Sequence, residues 1–289
     1  MHLVRYDSGS GPQVGVRRDD SITLVCGVGS MADLLAMPHD ELRATVESAS
    51  AAPVPATSVR LLAPLDGRAE LWCAGVTYAR SRSARMEESA ERSVYDKVYS
   101  AQRPELFLKA PAWRLVTDGE PVGIRADSGH DVPEPELAVV INAHAEIVGY
   151  TVCNDMSSRS IEGENPLYLS QAKVYAGAAA LAAGIRPAWE VPDPTGLAIT
   201  LVVRRKNQEV VAAETSSDQL VRPIQQLVDY LVAGNDFPDG AALATGTGIV
   251  PDMDFSLRPG DLVEIEIAEV GRLVNRVEAG KEPFAWLNR

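Results

Sequence analysis

At 289 residues and 46% hydrophobic content, the chain can bury a sizeable core, as one large domain or as a small module joined to a larger one. Forty acidic residues against 27 basic ones, a formal charge of -13, speak against a nucleic-acid surface, because phosphate binding relies on lysine and arginine. No apolar run of about 18 residues occurs, and the start, MHLVRYDSGSG, has neither an apolar signal core nor a cleavage pattern, so the expected location is cytoplasmic, with no membrane partner.

In chain order, HLVRYDSG, PQVGVRR and SITLVCGV read as short strands and SMADLLAMPHDELRATVESAS as one or two helices. The breaker-rich AAPVPATS then suggests a linker, giving a small α/β module over 1–65 and a larger domain over 66–289. RAELWCAGVTYA opens the larger domain as a strand, and the charge density of SRSARMEESAERSVYDKVYS suits an exposed helix. ELAVVINAHAEIVGYTVCND has the pattern of a hairpin about a turn-prone NAHA, while AGAAALAAG is ambiguous between helix and strand. LAITLVVRRKNQEVVAAET reads as a second hairpin, SDQLVRPIQQLVDYLVAG as an amphipathic helix ending at Gly234, and LRPGDLVEIEIAEVGRLVNRV as strands entered through a Pro-Gly turn. Mixed strands with few helices indicate an α+β fold, and no G-x-G-x-x-G follows a first strand. Cys26, Cys73 and Cys153, odd in number and set in apolar runs, are expected to be buried, reduced thiols used for packing.

Glu134 and Glu136 lie two apart on an expected strand, so their side chains share a face with α-carbons about 6.6 Å apart. Asp155 ends the second strand of the same hairpin and returns beside them. Crowded carboxylates repel unless one is protonated or a cation lies between them. An all-oxygen set suits a hard cation: Mg²⁺, with Mn²⁺ or Ca²⁺ as alternatives. The same spacing also fits a solvated sheet edge with Asp155 as the N-cap of a short helix through MSSRSIEGE.

These residues resemble a known family. PEPELAVV and GYTVCNDMSSRSIEGENPLYLSQAKVYAG, preceded by AGVTY and ELFLKAP and followed by TGTGIV and LRPGDLVEIEIAEVGRLVNRV, look like the fumarylacetoacetate hydrolase superfamily from about Leu71 to Val277, and MHLVRYDSGSG resembles its N-terminal module. The resemblance implies a mixed β-roll catalytic domain, a homodimer, and a divalent cation held by Glu134, Glu136 and Asp155. EGENPLYLSQAKVY most resembles the 2-keto-3-deoxy-pentonate dehydratases of that superfamily. Hydrolytic members carry a histidine and a glutamate after the motif matched by GVTY, to activate water. Here Ser81 and Ala84 align with that dyad, and none of His2, His39, His130 and His144 lies there.

The implied reaction is loss of water from a 2-keto-3-deoxy sugar acid, a pentonate giving 2,5-dioxopentanoate. Lys173 matches the family's active-site lysine, expected to hold a substrate oxygen or, with a depressed pKa, to shuttle a proton. Arg159 matches a family arginine and is expected to pair with substrate oxygens or brace Glu134. One of Glu162 and Glu164 is the C3 base or the acid for the departing hydroxyl, and the sequence does not choose between them. Arg114 and Lys109 are candidates to meet a substrate carboxylate, although each also suits a solvated strand end. Thr245 and Thr247 are candidates to donate hydrogen bonds to substrate, or members of a tight turn. Tyr78 and Tyr168 are candidate pocket walls or core aromatics. The competing readings are an acylpyruvate hydrolase or oxaloacetate decarboxylase built on the same cation, and a non-catalytic, cation-stabilised binding protein.

Overall fold

A computed structural model of the chain describes residues 1–88 and 92–288. Its largest sheet carries the strands of both halves of the sequence. Four N-terminal strands, His2–Asp7, Pro12–Arg18, Ser21–Leu24 and Val54–Pro55, join antiparallel, and His2–Asp7 also pairs with Gly184–Pro187 in the register Leu3↔Ile185. From there the sheet runs through Ile147–Asp155, Pro135–Ile141, Ala241–Ala244 and Glu70–Gly75 to the edge strand Glu105–Pro111. A second sheet, Gln208–Ser216, Ala198–Arg205, Leu262–Ile267, Gly271–Ala279 and Val122–Ile124, packs on it. Mixed sheets with helices match the expected α+β class, and a closed barrel is not seen among the described residues.

Alternation decides which face of each strand meets which core. Leu137, Val139 and Ile141 face the second sheet, with Ile199, Leu201, Val203, Val263 and Ile265 opposite them. Ala138 and Val140 turn the other way, into a core shared with Leu3, Val14, Val16, Leu34, Leu35 and Leu42 of the N-terminal module. The face bearing Ala138 and Val140 also bears Glu136, so the site lies where that second core runs out at the strand ends.

The predicted hairpins are present. Pro135–Ile141 and Ile147–Asp155 pair with Glu136 opposite Cys153, and Ala145 takes the left-handed conformation in the turn. Ala198–Arg205 and Gln208–Ser216 are joined by Lys206 and Asn207 at φ 52° and 65°, a two-residue turn whose twist matches the strands it connects. The amphipathic helix is Ile224–Val232, with Leu227, Val228 and Leu231 buried. The ambiguous alanine run is the strand Ala179–Leu181, because its backbone completes the ladder of Ile147–Asp155. Cys73 and Cys153 are buried as expected, but Cys26 is exposed, since it follows the strand Ser21–Leu24 into a surface turn.

The helix expected over SRSARMEESAERSVYDKVYS is two helices, Ala79–Glu88 and Arg92–Ser100, and residues 89–91 of it lie outside the described residues. Its first part is not an exposed helix. Ser81, Ala84 and Arg85, at the i, i+3, i+4 spacing of one helical face, are all buried. Among the described residues no helix is long and apolar enough to cross a membrane.

Candidate active site

Glu134, Glu136 and Asp155 converge at the ends of the Pro135–Ile141 and Ile147–Asp155 hairpin. Each offers a carboxylate oxygen within 4.8 Å of the others, and all three residues are at most 3% exposed. The backbone fixes this: Asp155 N–H donates to Glu134 C=O at 3.0 Å, locking the two strand ends together. Asp155 is thus a strand residue, and the short helix Arg159–Glu164 begins after Ser158 instead. The site is not a solvated edge.

Four cations surround the trio. Lys173 Nζ donates to Glu134 Oε1 at 2.9 Å, Asp155 Oδ2 at 3.0 Å and Ser157 Oγ at 2.5 Å. Arg159, 2% exposed, puts Nη2 3.1 Å from Glu134 Oε1 and is not among the residues lining the cavity, so it braces Glu134. Lys109 Nζ is ion-paired with Asp155 Oδ1 and donates to the carbonyls of Met156 at 2.8 Å and Lys173 at 2.5 Å. Arg85 Nη2 meets Glu134 Oε1 at 3.3 Å, and its Nη1 makes a short ion pair with Glu162.

Burial raises the Glu134 carboxyl, but Lys173, Arg159 and Arg85 together hold it well below the usual range. Glu136 goes the other way: burial, then the charges of Asp155 and Glu134, push it well above the usual range, although Gly246 N–H donates to its Oε2 at 2.7 Å. That amide reaches in because Gly246 sits at φ +99°, and a side chain there would collide with Thr77. Burial lowers Lys173, yet Asp155, Glu134 and Glu162 raise it above the ordinary lysine value. The direction is opposite to the depression expected of a proton-shuttling lysine and favours the ammonium form.

A small, narrow cavity opens on the trio, lined also by Val76, Ser81, Arg85, Glu105, Phe107, Glu162, Lys173 and Thr247. Of the two candidate acid–base glutamates the structure brings in Glu162, at 4% exposure, whereas Glu164 is exposed and does not line the cavity. Arg114 is also outside it, its guanidinium 4.7 Å over the ring of the exposed Trp113. Thr247 reaches the lining, but its hydroxyl donates to Ile249 C=O at 3.0 Å, and Thr245 donates to Leu137 C=O at 2.9 Å, so both hydroxyls brace the turn. Tyr78 is a buried core residue, while Tyr168 is 37% exposed.

Two charged lining residues, Arg85 and Glu105, were not singled out in the sequence. Arg85 was hidden in a helix that looked solvated. Glu105, in ELFLKAP, sets its carboxyl over Gly75, where any Cβ would collide with it; burial, then the charge of Glu162, raises it above the ordinary glutamate value. Lys109 reads as a strand end, although it shares the parity of Glu105 and Phe107, which line the cavity, and it sits at a bulge. Leu71 pairs with Ala110 and Trp72 with Leu108, so Lys109 is the extra residue. The usable signal was an acid and a base four apart on one strand. Val76, at φ 54° and lining the cavity, is a β-branched residue in left-handed backbone, a strain of the kind that collects at functional sites.

The model of the fumarylacetoacetate (FAA) hydrolase C-terminal domain matches residues 70–278, and the chain belongs to this family. A probable 2-keto-3-deoxyxylonate dehydratase of Haloferax volcanii is 45% identical over 214 residues, covering 74% of this chain and 73% of its own. The 2-dehydro-3-deoxy-D-arabinonate dehydratase of Saccharolobus solfataricus is 40% identical over 224 residues, covering 76% and 75%. Among solved structures, a 2-keto-3-deoxy-D-arabinonate dehydratase complexed with magnesium and 2,5-dioxopentanoate superposes with TM-score 0.84 at 32% identity, over 98% of this chain and all of the other.

Proposed function

We infer that the protein is a Mg²⁺-dependent hydro-lyase that removes water from a 2-keto-3-deoxy sugar acid, a pentonate giving 2,5-dioxopentanoate. The observation that carries this reading is the buried trio Glu134, Glu136 and Asp155 within 4.8 Å, in a chain 45% and 40% identical to dehydratases of such acids. The donor set fits the metal. Three buried carboxylates supply hard oxygen ligands, and the charges of Asp155 and Glu134, which add to burial in pushing Glu136 up, are a repulsion that a divalent cation relieves. When bound, the cation draws electron density from a 2-keto acid and makes its C3 protons acidic.

The chain's own residues supply the rest. Lys173, held as an ammonium, offers a fixed positive charge to a developing enolate or to the C1 carboxylate. The two non-ligand carboxylates in the cavity have unlike surroundings. Glu105 is raised by burial, which favours its protonated form and suits donation to the departing C4 hydroxyl. Glu162 is paired with Arg85 and suits the base that takes the C3 proton. No histidine lines the cavity, so the imidazole that activates water for carbon–carbon hydrolysis is missing from the lining. That disfavours the acylpyruvate hydrolase alternative, and the closeness to dehydratases disfavours the oxaloacetate decarboxylase and non-catalytic alternatives. We place the enzyme in the cytoplasm as a homodimer, the assembly its family resemblance implies; gel filtration with light scattering checks the mass.

The test is a coupled assay in which 2,5-dioxopentanoate is oxidised by an NAD(P)-dependent dehydrogenase. The expected result is turnover of 2-keto-3-deoxy-arabinonate or its C4 enantiomer that EDTA abolishes and Mg²⁺ or Mn²⁺ restores. No turnover of any keto-deoxy acid rejects the reading.

A further inference from the structure

The helix Ala79–Glu88 aims two polar side chains at the cavity where hydrolytic relatives are expected to place a water-activating dyad. Ser81 is occupied with its own turn, its Oγ donating to Tyr78 C=O at 2.8 Å. Arg85 is different. At 6% exposure it reaches two carboxylates from separate elements: Glu134, a metal ligand at the start of the central hairpin, and Glu162, on the helix Arg159–Glu164, which is not a ligand. A guanidinium is a planar fork whose nitrogens keep fixed separations, so bridging two oxygens sets one carboxylate relative to the other. A lysine ammonium at that position has one point of charge and a flexible stem, and does not.

The placement of Glu162 gives this bridge a use. A base must stand within hydrogen-bond reach of the C3 proton and hold its direction while the proton moves. Glu162 lies on a helix of six residues whose N-cap Ser158 makes no side-chain capping bond, so little in the helix itself fixes the glutamate. Its described ion pair is the one to Arg85.

We propose that Arg85 is a positioning residue of the reaction, fixing Glu162 against the metal ligand Glu134 so that Glu162 takes the C3 proton of the bound 2-keto acid. The C3–H bond breaks, its proton goes to a Glu162 oxygen, and its electron pair forms the C2–C3 double bond of an enolate. Return of that proton regenerates the ketone; loss of the C4 hydroxyl with a proton from Glu105 releases water. The inference deepens the hydro-lyase reading and rests on it only for the second branch.

The test isolates the first branch. 2-Oxobutyrate has C3 protons and no leaving group, so its exchange in D₂O, followed by proton NMR with the Mg²⁺-loaded enzyme, reports proton removal alone. Arg85→Met is expected to slow the maximal exchange rate about 100-fold with KM changed less than about threefold, because a positioned base contributes on the order of 10²–10⁴. Glu162→Gln is expected to fall at least as far, and the double variant no further than Glu162→Gln alone, since the two side chains act as one unit. Arg85→Lys, which keeps the charge without the fork, is expected to lose about tenfold and serves if the methionine variant fails to fold. Mn²⁺ affinity by electron paramagnetic resonance should stay within about threefold in every variant, which separates positioning from loss of the ligand set.

Exchange by Arg85→Met within about twofold of wild type overturns the proposal. So does a double variant whose loss is the product of the single losses, or wild-type enzyme that exchanges no C3 protons. Wild type that exchanges, with Arg85→Met slowed as stated, but that dehydrates no keto-deoxy acid, leaves the Arg85 assignment standing and removes the hydro-lyase reading instead.

Discussion

Lys109 is enclosed by three acceptors: the Asp155 carboxylate and the main-chain carbonyls of Met156 and Lys173. It lies behind the site and ties one carboxylate of the trio, the strand end and the Lys173 backbone to a single point. Removing the ammonium leaves those acceptors facing an apolar stem. Lys109→Met is therefore predicted to lower Mg²⁺ affinity about 10–100-fold, the usual cost of losing a partner that orients a ligand, and titration calorimetry checks it. Asp131 offers a pH test away from the cation. Burial pushes it up to about 6 from an ordinary 3.8, and its Oδ1 has no hydrogen-bond partner. The folded state holds this proton more tightly than the unfolded chain, so its contribution is greatest below about pH 4 and is lost as pH rises through about 6. Asp131→Asn is predicted to gain stability relative to wild type between pH 4.5 and 7 in urea unfolding; an unchanged difference across that range contradicts it.

Among the elements, the hairpins were legible because local chemistry writes them. Period-two apolar runs flank residues that tolerate left-handed backbone, and Lys206 and Asn207 adopt it. The pair is not the best one for that turn, so Lys206→Asn with Asn207→Gly is predicted to raise stability by about 0.5–1 kcal/mol, read as a higher thermal midpoint. The site trio was legible for the same reason, since strand parity and one hairpin bring Glu134, Glu136 and Asp155 together. The helix Ala79–Glu88 was not, because its charges announce a solvated surface when read locally. Arg85 is buried by carboxylates supplied from residues 134 and 162, and nothing within the helix records that. Lys109 was read as a strand end because its partners, Asp155 and the carbonyls of Met156 and Lys173, come from other elements, and Glu105 was not singled out because Gly75 on the neighbouring strand makes room for it.

At the scale of the whole molecule, the N-terminal strands are continuous with the catalytic sheet through Leu3↔Ile185 and share its second core. The composition break near residue 65 shows none of this, since strand pairing across about 180 residues leaves no local trace. One cooperative unfolding transition is predicted for module and roll together, with Leu3→Ala lowering stability by about 2–5 kcal/mol and shifting that transition as a whole. Separate transitions in calorimetry contradict the shared core. The central claim is that the carboxylate trio holds a cation that promotes elimination. Its most direct measurement is a carbon-13 NMR time course of 2-keto-3-deoxy-arabinonate with Mg²⁺, run beside Glu136→Gln. The account predicts 2,5-dioxopentanoate as the product and none from the variant; pyruvate from carbon–carbon cleavage, or equal activity in Glu136→Gln, contradicts it.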